Sequence, residues 1–96
     1  MVLLRRRYPG AVTPEQLSTL IVDALTGLVA EGAITLPEGV PAHVVVERPR
    51  IREHGDYATN VALQLAKRAG TSPRDFAGLV ADRLRAAEGV AAVDIA

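Results

Sequence analysis

No cysteine occurs in the 96 residues, which excludes disulfides, thiolate metal sites and cysteine nucleophiles together. Tryptophan is absent too, and Tyr8, Tyr57 and Phe76 are the only aromatic residues. Stacking of single-stranded bases on an aromatic platform therefore has little to work with, and a core has to be assembled from Leu, Val, Ile and Ala. Two histidines, His43 and His54, are too few for a metal cluster. No apolar run is long enough to cross a membrane or to form the h-region of an export signal. An excess of one charge is also lacking: eleven basic and eleven acidic residues leave a formal net charge of zero, which argues against indiscriminate nucleic-acid binding.

What is present is apolar sequence in quantity, 49% of the chain, enough for one core in one domain of this length. The charge is unevenly placed. Residues 48 to 85 carry eight basic and four acidic groups, whereas residues 8 to 46 carry four acids and no base. Such a distribution fits either a solvated surface of mixed charge or a polar molecule with one basic half.

In chain order, residues 1 to 12 read as an N-terminal tail, in which Arg5, Arg6 and Arg7 either touch phosphate or belong to an unstructured start. Thr13, Pro14 and Gln16 then form a helix-start signature, with Thr13 as N-cap and Gln16 able to reach back to it. Leu17, Leu20, Ile21, Ala24, Leu25 and Leu28 continue at helical spacing up to Gly32, a residue suited to the position just past a helix end. Gly27 lies inside this stripe at a cost of about 1 kcal/mol relative to Ala, and reads as a point of close packing. After a connection containing Pro37, Gly39 and Pro41, with room for a short strand at Ala33 to Leu36, the run His43 to Glu47 has the β-branched character of a strand. Ser72, Pro73 and Asp75 open another helix whose apolar face is Phe76, Ala77, Val80, Ala81 and Leu84, and Val90 to Ile95 reads as a final strand.

Between them lies the segment around which the chain is organised. Pro49 ends the strand, and if residues 48 to 52 stay extended, Arg48, Arg50 and Arg52 project from one side. Gly55 permits a turn, Asp56 is placed to cap a helix, and Tyr57, Val61, Leu65 and Ala69 recur every fourth residue as the apolar stripe of that helix, which Gly70 ends. His54 beside Asp56 suggests an acid–base pair, but the turn and cap explain the same residues structurally. No Gly-rich phosphate loop, paired-histidine metal motif or nucleophile–histidine–acid set is recognisable, so no catalytic residue and no metal ligand is assigned.

The run from His54 to Lys67, HGDYATNVALQLAK, preceded by VVVERPR, resembles the N-terminal additional domain of bacterial arginyl-tRNA synthetases. The similarity covers roughly residues 13 to 96, and the family's Gly-Asp-Tyr-Ala-Thr-Asn stretch is matched without interruption by Gly55 to Asn60. The resemblance implies a tRNA-binding accessory domain that sits against the outer corner of the tRNA and engages its D-loop. ATP and arginine would be used by a separate catalytic domain whose histidine- and lysine-bearing motifs are not in this sequence. The chain is thus expected to need no cofactor and not to be an enzyme on its own. The family ordinarily continues from a stretch like Val-Asp-Ile-Ala into a Gly-Pro-Gly-Phe-Ile/Leu-Asn segment and a further strand that helps to read the D-loop base, and that segment is not among these residues. Arg48, Arg50 and Arg52 are the phosphate candidates, while Tyr57 and Asn60 are placed to meet ribose or a base edge. A tyrosine on an apolar stripe is as readily core, and Thr59 reads as local hydrogen bonding.

The architecture expected is α+β in two layers: helix 13–31, strand 43–48, helix 57–69, helix 73–87 and strand 90–95, with three helices on one face of a small antiparallel or mixed sheet. The partners expected are tRNA and the synthetase's catalytic domain, in a cytoplasmic, monomeric protein with no membrane attachment. The rival expectation is a non-catalytic structural or protein-interaction module that binds no nucleic acid.

Overall fold

A computed structural model describes residues 2–6, 12–48, 56–87 and 89–95. The elements in order are β1 (Val2–Arg6), α1 (Pro14–Ala30), β2 (Tyr57–Thr59), α2 (Val61–Ala69), α3 (Pro73–Arg85) and β3 (Val90–Ile95). The three strands form one antiparallel sheet in the order β2-β1-β3, so this is a small α+β domain, as expected.

The helix starts follow the sequence signals. Thr13 Oγ1 accepts from the Gln16 N–H at 3.1 Å and Gln16 Oε1 accepts from the Thr13 N–H at 2.9 Å, a reciprocal capping box with Pro14 in the first turn. Ser72 Oγ accepts from the Asp75 N–H at 3.2 Å and caps α3. Gly70 closes α2 at φ 69°, a left-handed conformation that costs glycine nothing sterically.

The helix α3 is central to the packing, touching α1, α2 and β3. Its Phe76, Val80 and Leu84 are fully enclosed with Leu17, Ile21 and Leu25 of α1 and with Val2 and Val90 from the sheet. Gly27 marks a close approach between α1 and α3: a methyl group built there collides with the Arg83 guanidinium, which also pairs with Glu31. Arg85 ties the end of α3 to the sheet by donating to the Val93 carbonyl at 2.9 Å.

Several expectations fail. Residues 2–6, assigned to a tail, are the central strand of the sheet: Val2 and Leu4 point into the core, and β1 pairs with both neighbours. Tyr57 to Thr59 are a strand and not the first turn of a helix, because β1 offers them a partner, with Leu4 opposite Tyr57 and Val2 opposite Thr59. The helix begins at Val61 instead, and Asp56 is not its cap; Thr59 Oγ1 accepts from the Val61 N–H at 3.3 Å. Finally, residues 43–48 form no strand beyond a single bridge between Glu47 and Ala58. The Val45 carbonyl, the acceptor of the next step in that ladder, is taken by Thr59 Oγ1 at 3.0 Å, and the Val44 N–H donates to Ser18 Oγ of α1 at 2.9 Å. The short strand considered at Ala33 to Leu36 is not formed, and α3 ends at Arg85, two residues before the expected 87.

Candidate nucleic-acid interface

At one end of the sheet, β1 and β2 bring together residues that lie far apart in sequence. Asp56, just before β2, donates its backbone N–H to the Leu4 carbonyl at 2.8 Å. Its carboxylate accepts from the Arg6 N–H at 2.8 Å and meets the Arg6 guanidinium at 3.5 Å. The backbone N–H of Arg6 is the main cause that holds the Asp56 carboxyl below its ordinary pKa, opposed by partial burial and reinforced by the Arg6 guanidinium and the nearby charge of Arg5. Asp56 is therefore a strand-to-strand tether.

Tyr57 follows with its ring buried at 2% exposure and its hydroxyl donating to the Val12 carbonyl at 3.5 Å. Two guanidinium groups gather on this ring, that of Arg6 at 5.4 Å from its centroid and that of Arg48 at 5.9 Å, both within cation–π range. Arg48 is itself exposed, and the Glu47–Ala58 bridge beside it, with bonds of 2.8 and 2.7 Å, fixes where its backbone runs.

Of the candidate residues read from the sequence, the structure thus brings Arg48 and Tyr57 together, with Tyr57 acting from inside as a support. Asn60 is half-buried at the position preceding α2, and its side chain makes no capping hydrogen bond. Arg50 and Arg52 lie outside the described residues, as do Pro49, His54 and Gly55. Arg6 is the residue that sequence reasoning placed wrongly. The sequence of β1 carries little signal of a strand, since Val2, Leu3 and Leu4 are all apolar and the period of a strand with one buried face shows only in their burial.

The chemistry on offer is recognition of negative charge by guanidinium groups. Among the described residues no three His, Cys, Asp or Glu side chains gather as a metal site would need, and no helix is long and apolar enough to cross a membrane.

Comparison with known proteins gives the family. The profile of the arginyl-tRNA synthetase N-terminal domain matches residues 15–96. The chain belongs to this family. An arginine–tRNA ligase of Kineococcus radiotolerans is 60% identical over 86 residues, covering 88% of this chain and 16% of the relative. One from Micrococcus luteus is also 60% identical, over 86% of the chain and 16% of its own length, and one from Pseudarthrobacter chlorophenolicus is 57% identical over 88% and 16%. The synthetase domain described here thus spans about a sixth of the curated relatives it matches, 16% of their length. No solved structure matches it. The match at 15–96 leaves β1, the central strand of this synthetase domain, outside the family profile.

Proposed function

We propose that the domain binds tRNA for an arginyl-tRNA synthetase, contacting the outer corner and D-loop while a separate catalytic domain uses ATP and arginine to charge the 3′ end. The observation that carries this reading is the exposed Arg48 held beside Tyr57, in a chain whose relatives are arginine–tRNA ligases. Arginine forks suit phosphate oxygens, and Arg50 and Arg52 follow Arg48 in sequence. In this reading the domain works in the cytoplasm, as a monomer, without a cofactor of its own. Tyr57 acts by supporting the cations, and Asn60 reaches a ribose or base edge at the start of α2.

Phosphate contacts position the RNA without reading its sequence, so binding is expected to be weak, salt-sensitive and little dependent on the tRNA species. Three arginines on three phosphates give a slope of log K against log salt of about −2 to −3. Titration of the chain with arginine-accepting and unrelated tRNAs at two salt concentrations tests this. Replacement of Arg48, Arg50 and Arg52 by Ala should abolish the salt-dependent component, whereas absence of binding by the unaltered chain at low salt would sink the proposal.

A second reading draws on a different surface. Val45 is 61% exposed and lines an open groove of about 490 Å³ that runs past Pro41, His43, Gln64, Leu65 and Arg68. Apolar side chains left uncovered there suit docking against another part of a synthetase, the structural role that competes with RNA binding.

A further inference from the structure

The two edges of the sheet are finished differently. Ala58 of β2 is bridged on its far side by Glu47, whereas β3 ends the order β2-β1-β3, and no strand among the described residues pairs with its outer side. Which backbone groups of β3 face outward follows from β1. The Leu4 carbonyl accepts from the Asp56 N–H and the Arg6 N–H donates to Asp56 Oδ2, so the backbone polar groups of Leu4 and Arg6 point toward β2 and those of Leu3 and Arg5 toward β3. Leu4 stands opposite Val93 and Val2 opposite Ile95, which directs the N–H and C=O groups of Val93 and Ile95 away from the sheet. Such a row is a template for another strand, and proteins commonly blunt it with lysine or proline on the strand itself. The six residues of β3, VAAVDI, contain neither, and their one charge is Asp94. The blunting comes from α3 instead: Arg85 Nη2 donates to the outward Val93 carbonyl at 2.9 Å, while Nη1 is held by Asp82 Oδ1 at 2.7 Å. The strand otherwise matches itself. In an antiparallel pair of two copies centred on Val93, Asp94 lies opposite Ala92 of the second copy, so no like charges meet.

We propose that the outer edge of β3 is a strand-pairing surface for a second copy of this chain, kept closed by Arg85. When Arg85 leaves the Val93 carbonyl, β3 pairs with β3 of the second copy and the two three-stranded sheets join into one. Asp82 positions Arg85 over the edge, and the acceptor that Arg85 covers is the one at the centre of the pairing. This inference is independent of the tRNA reading.

The test is sedimentation velocity of the unaltered chain, Arg85→Met, and Arg85→Met combined with Ile95→Pro, from about 10 to about 500 µM, with a thermal melt of each. The unaltered chain should stay monomeric. Arg85→Met keeps an apolar stem of similar length but has no donor, and its dimerisation constant should rise by about ten- to a hundredfold, since each dimer no longer has to break two Arg85–Val93 bonds. Ile95→Pro removes an outward N–H and leaves the β1 ladder intact, so it should return the Arg85→Met chain to a monomer. Should the proline lower the melting midpoint, Ala91→Lys, at an exposed position of the same strand, takes its place. An Arg85→Met chain that remains monomeric at the highest concentration overturns the proposal. So does a dimer that persists with Ile95→Pro or Ala91→Lys, which would place the contact elsewhere, and so does a dimer of the unaltered chain, in which Arg85 would be closing nothing.

Discussion

The backbone N–H of Arg6 donates to Asp56 Oδ2 at 2.8 Å across fifty positions of sequence, and the Arg6 guanidinium reaches the other oxygen of the same carboxylate at 3.5 Å. One side chain therefore fastens the end of β1 to the start of β2 and at the same time fixes a cation of the candidate interface.

Asp56→Ala removes that fastening. Hydrogen bonds to a charged group contribute about 1.5 to 3 kcal/mol when sheltered, but the Asp56 side chain is 34% exposed, so about 1 kcal/mol at neutral pH is the expected cost. The pH dependence follows from the sign of the shift. Asp56 has a lowered pKa in the folded state, so its contribution is complete above the unfolded carboxyl value of about 3.9 and is lost as pH falls through the lower folded value. Urea midpoints of the two proteins should differ at pH 7 and converge in acid. A gap that stays constant into acid would mean that the carboxylate charge plays no part.

Much of this architecture is legible because its signals are local. Thr13, Pro14 and Gln16 announce α1, Ser72, Pro73 and Asp75 announce α3, and Gly70 ends α2, each through chemistry contained in a few neighbouring residues. The failures share one non-local cause. Tyr57 and Val61 stand four apart, which fits a helix, but Tyr57 and Thr59 stand two apart, which fits a strand, and a short apolar run cannot decide between them. The decision is made by β1, more than fifty residues away, and β1 itself is hard to read because Val2, Leu3 and Leu4 are all apolar and show no alternation. The same error gave Asp56 a helix to cap and left Arg6 out of the candidate site. Arg48 stands out as a candidate because Pro49 and the arginine spacing are local; its company on Tyr57 does not, because it depends on tertiary packing.

At Gly27 two effects of similar size oppose each other. A methyl group there would displace the Arg83 guanidinium from its place beside Glu31, but Arg83 is the far end of a flexible side chain, and its ion pair is partly exposed. Losing such a pair costs between about 0 and 1 kcal/mol, while Gly to Ala in a helix interior gains about 1 kcal/mol. Gly27→Ala should accordingly stabilise by between about 0 and 1 kcal/mol, according to how much of the ion pair is lost. In an Arg83→Ala background, with the obstruction gone, the same substitution should stabilise by about 0.5 to 1 kcal/mol. A double-mutant cycle of unfolding free energies measures the difference, and equal effects in both backgrounds would show that Arg83 does not restrict position 27.

Leu25 is fully enclosed in the middle of α1, among the side chains that α1 and α3 share. Leu25→Ala leaves a cavity that close-packed neighbours fill only in part, at a cost of about 2 to 5 kcal/mol. That is a large share of what a single core of this size supplies, so the melting midpoint should fall steeply. Thermal melts followed by circular dichroism would show it, and a cooperative melt close to that of the unaltered chain would contradict inward packing of this stripe.

Removal of β1 should be more damaging than any of these changes. The strand lies between β2 and β3, so without it neither has its ladder partner, and a three-residue strand such as β2 has no independent stability. The core loses Val2 and Leu4, at 1% and 3% exposure, and the Asp56 N–H and carboxylate lose Leu4 O and Arg6. A chain beginning at residue 13 should retain part of its helical circular dichroism, since α1 and α3 carry their own caps, but should melt without a cooperative transition. Leu4→Ala, which keeps the backbone ladder and removes only side-chain burial, should still melt cooperatively at a cost of about 2 to 5 kcal/mol. This ordering separates the strand's two contributions. If the shortened chain instead melted at the midpoint of the full one, residues 2 to 6 would be an appendage on a sheet complete without them, and the candidate interface built on Arg6 would lose its foundation.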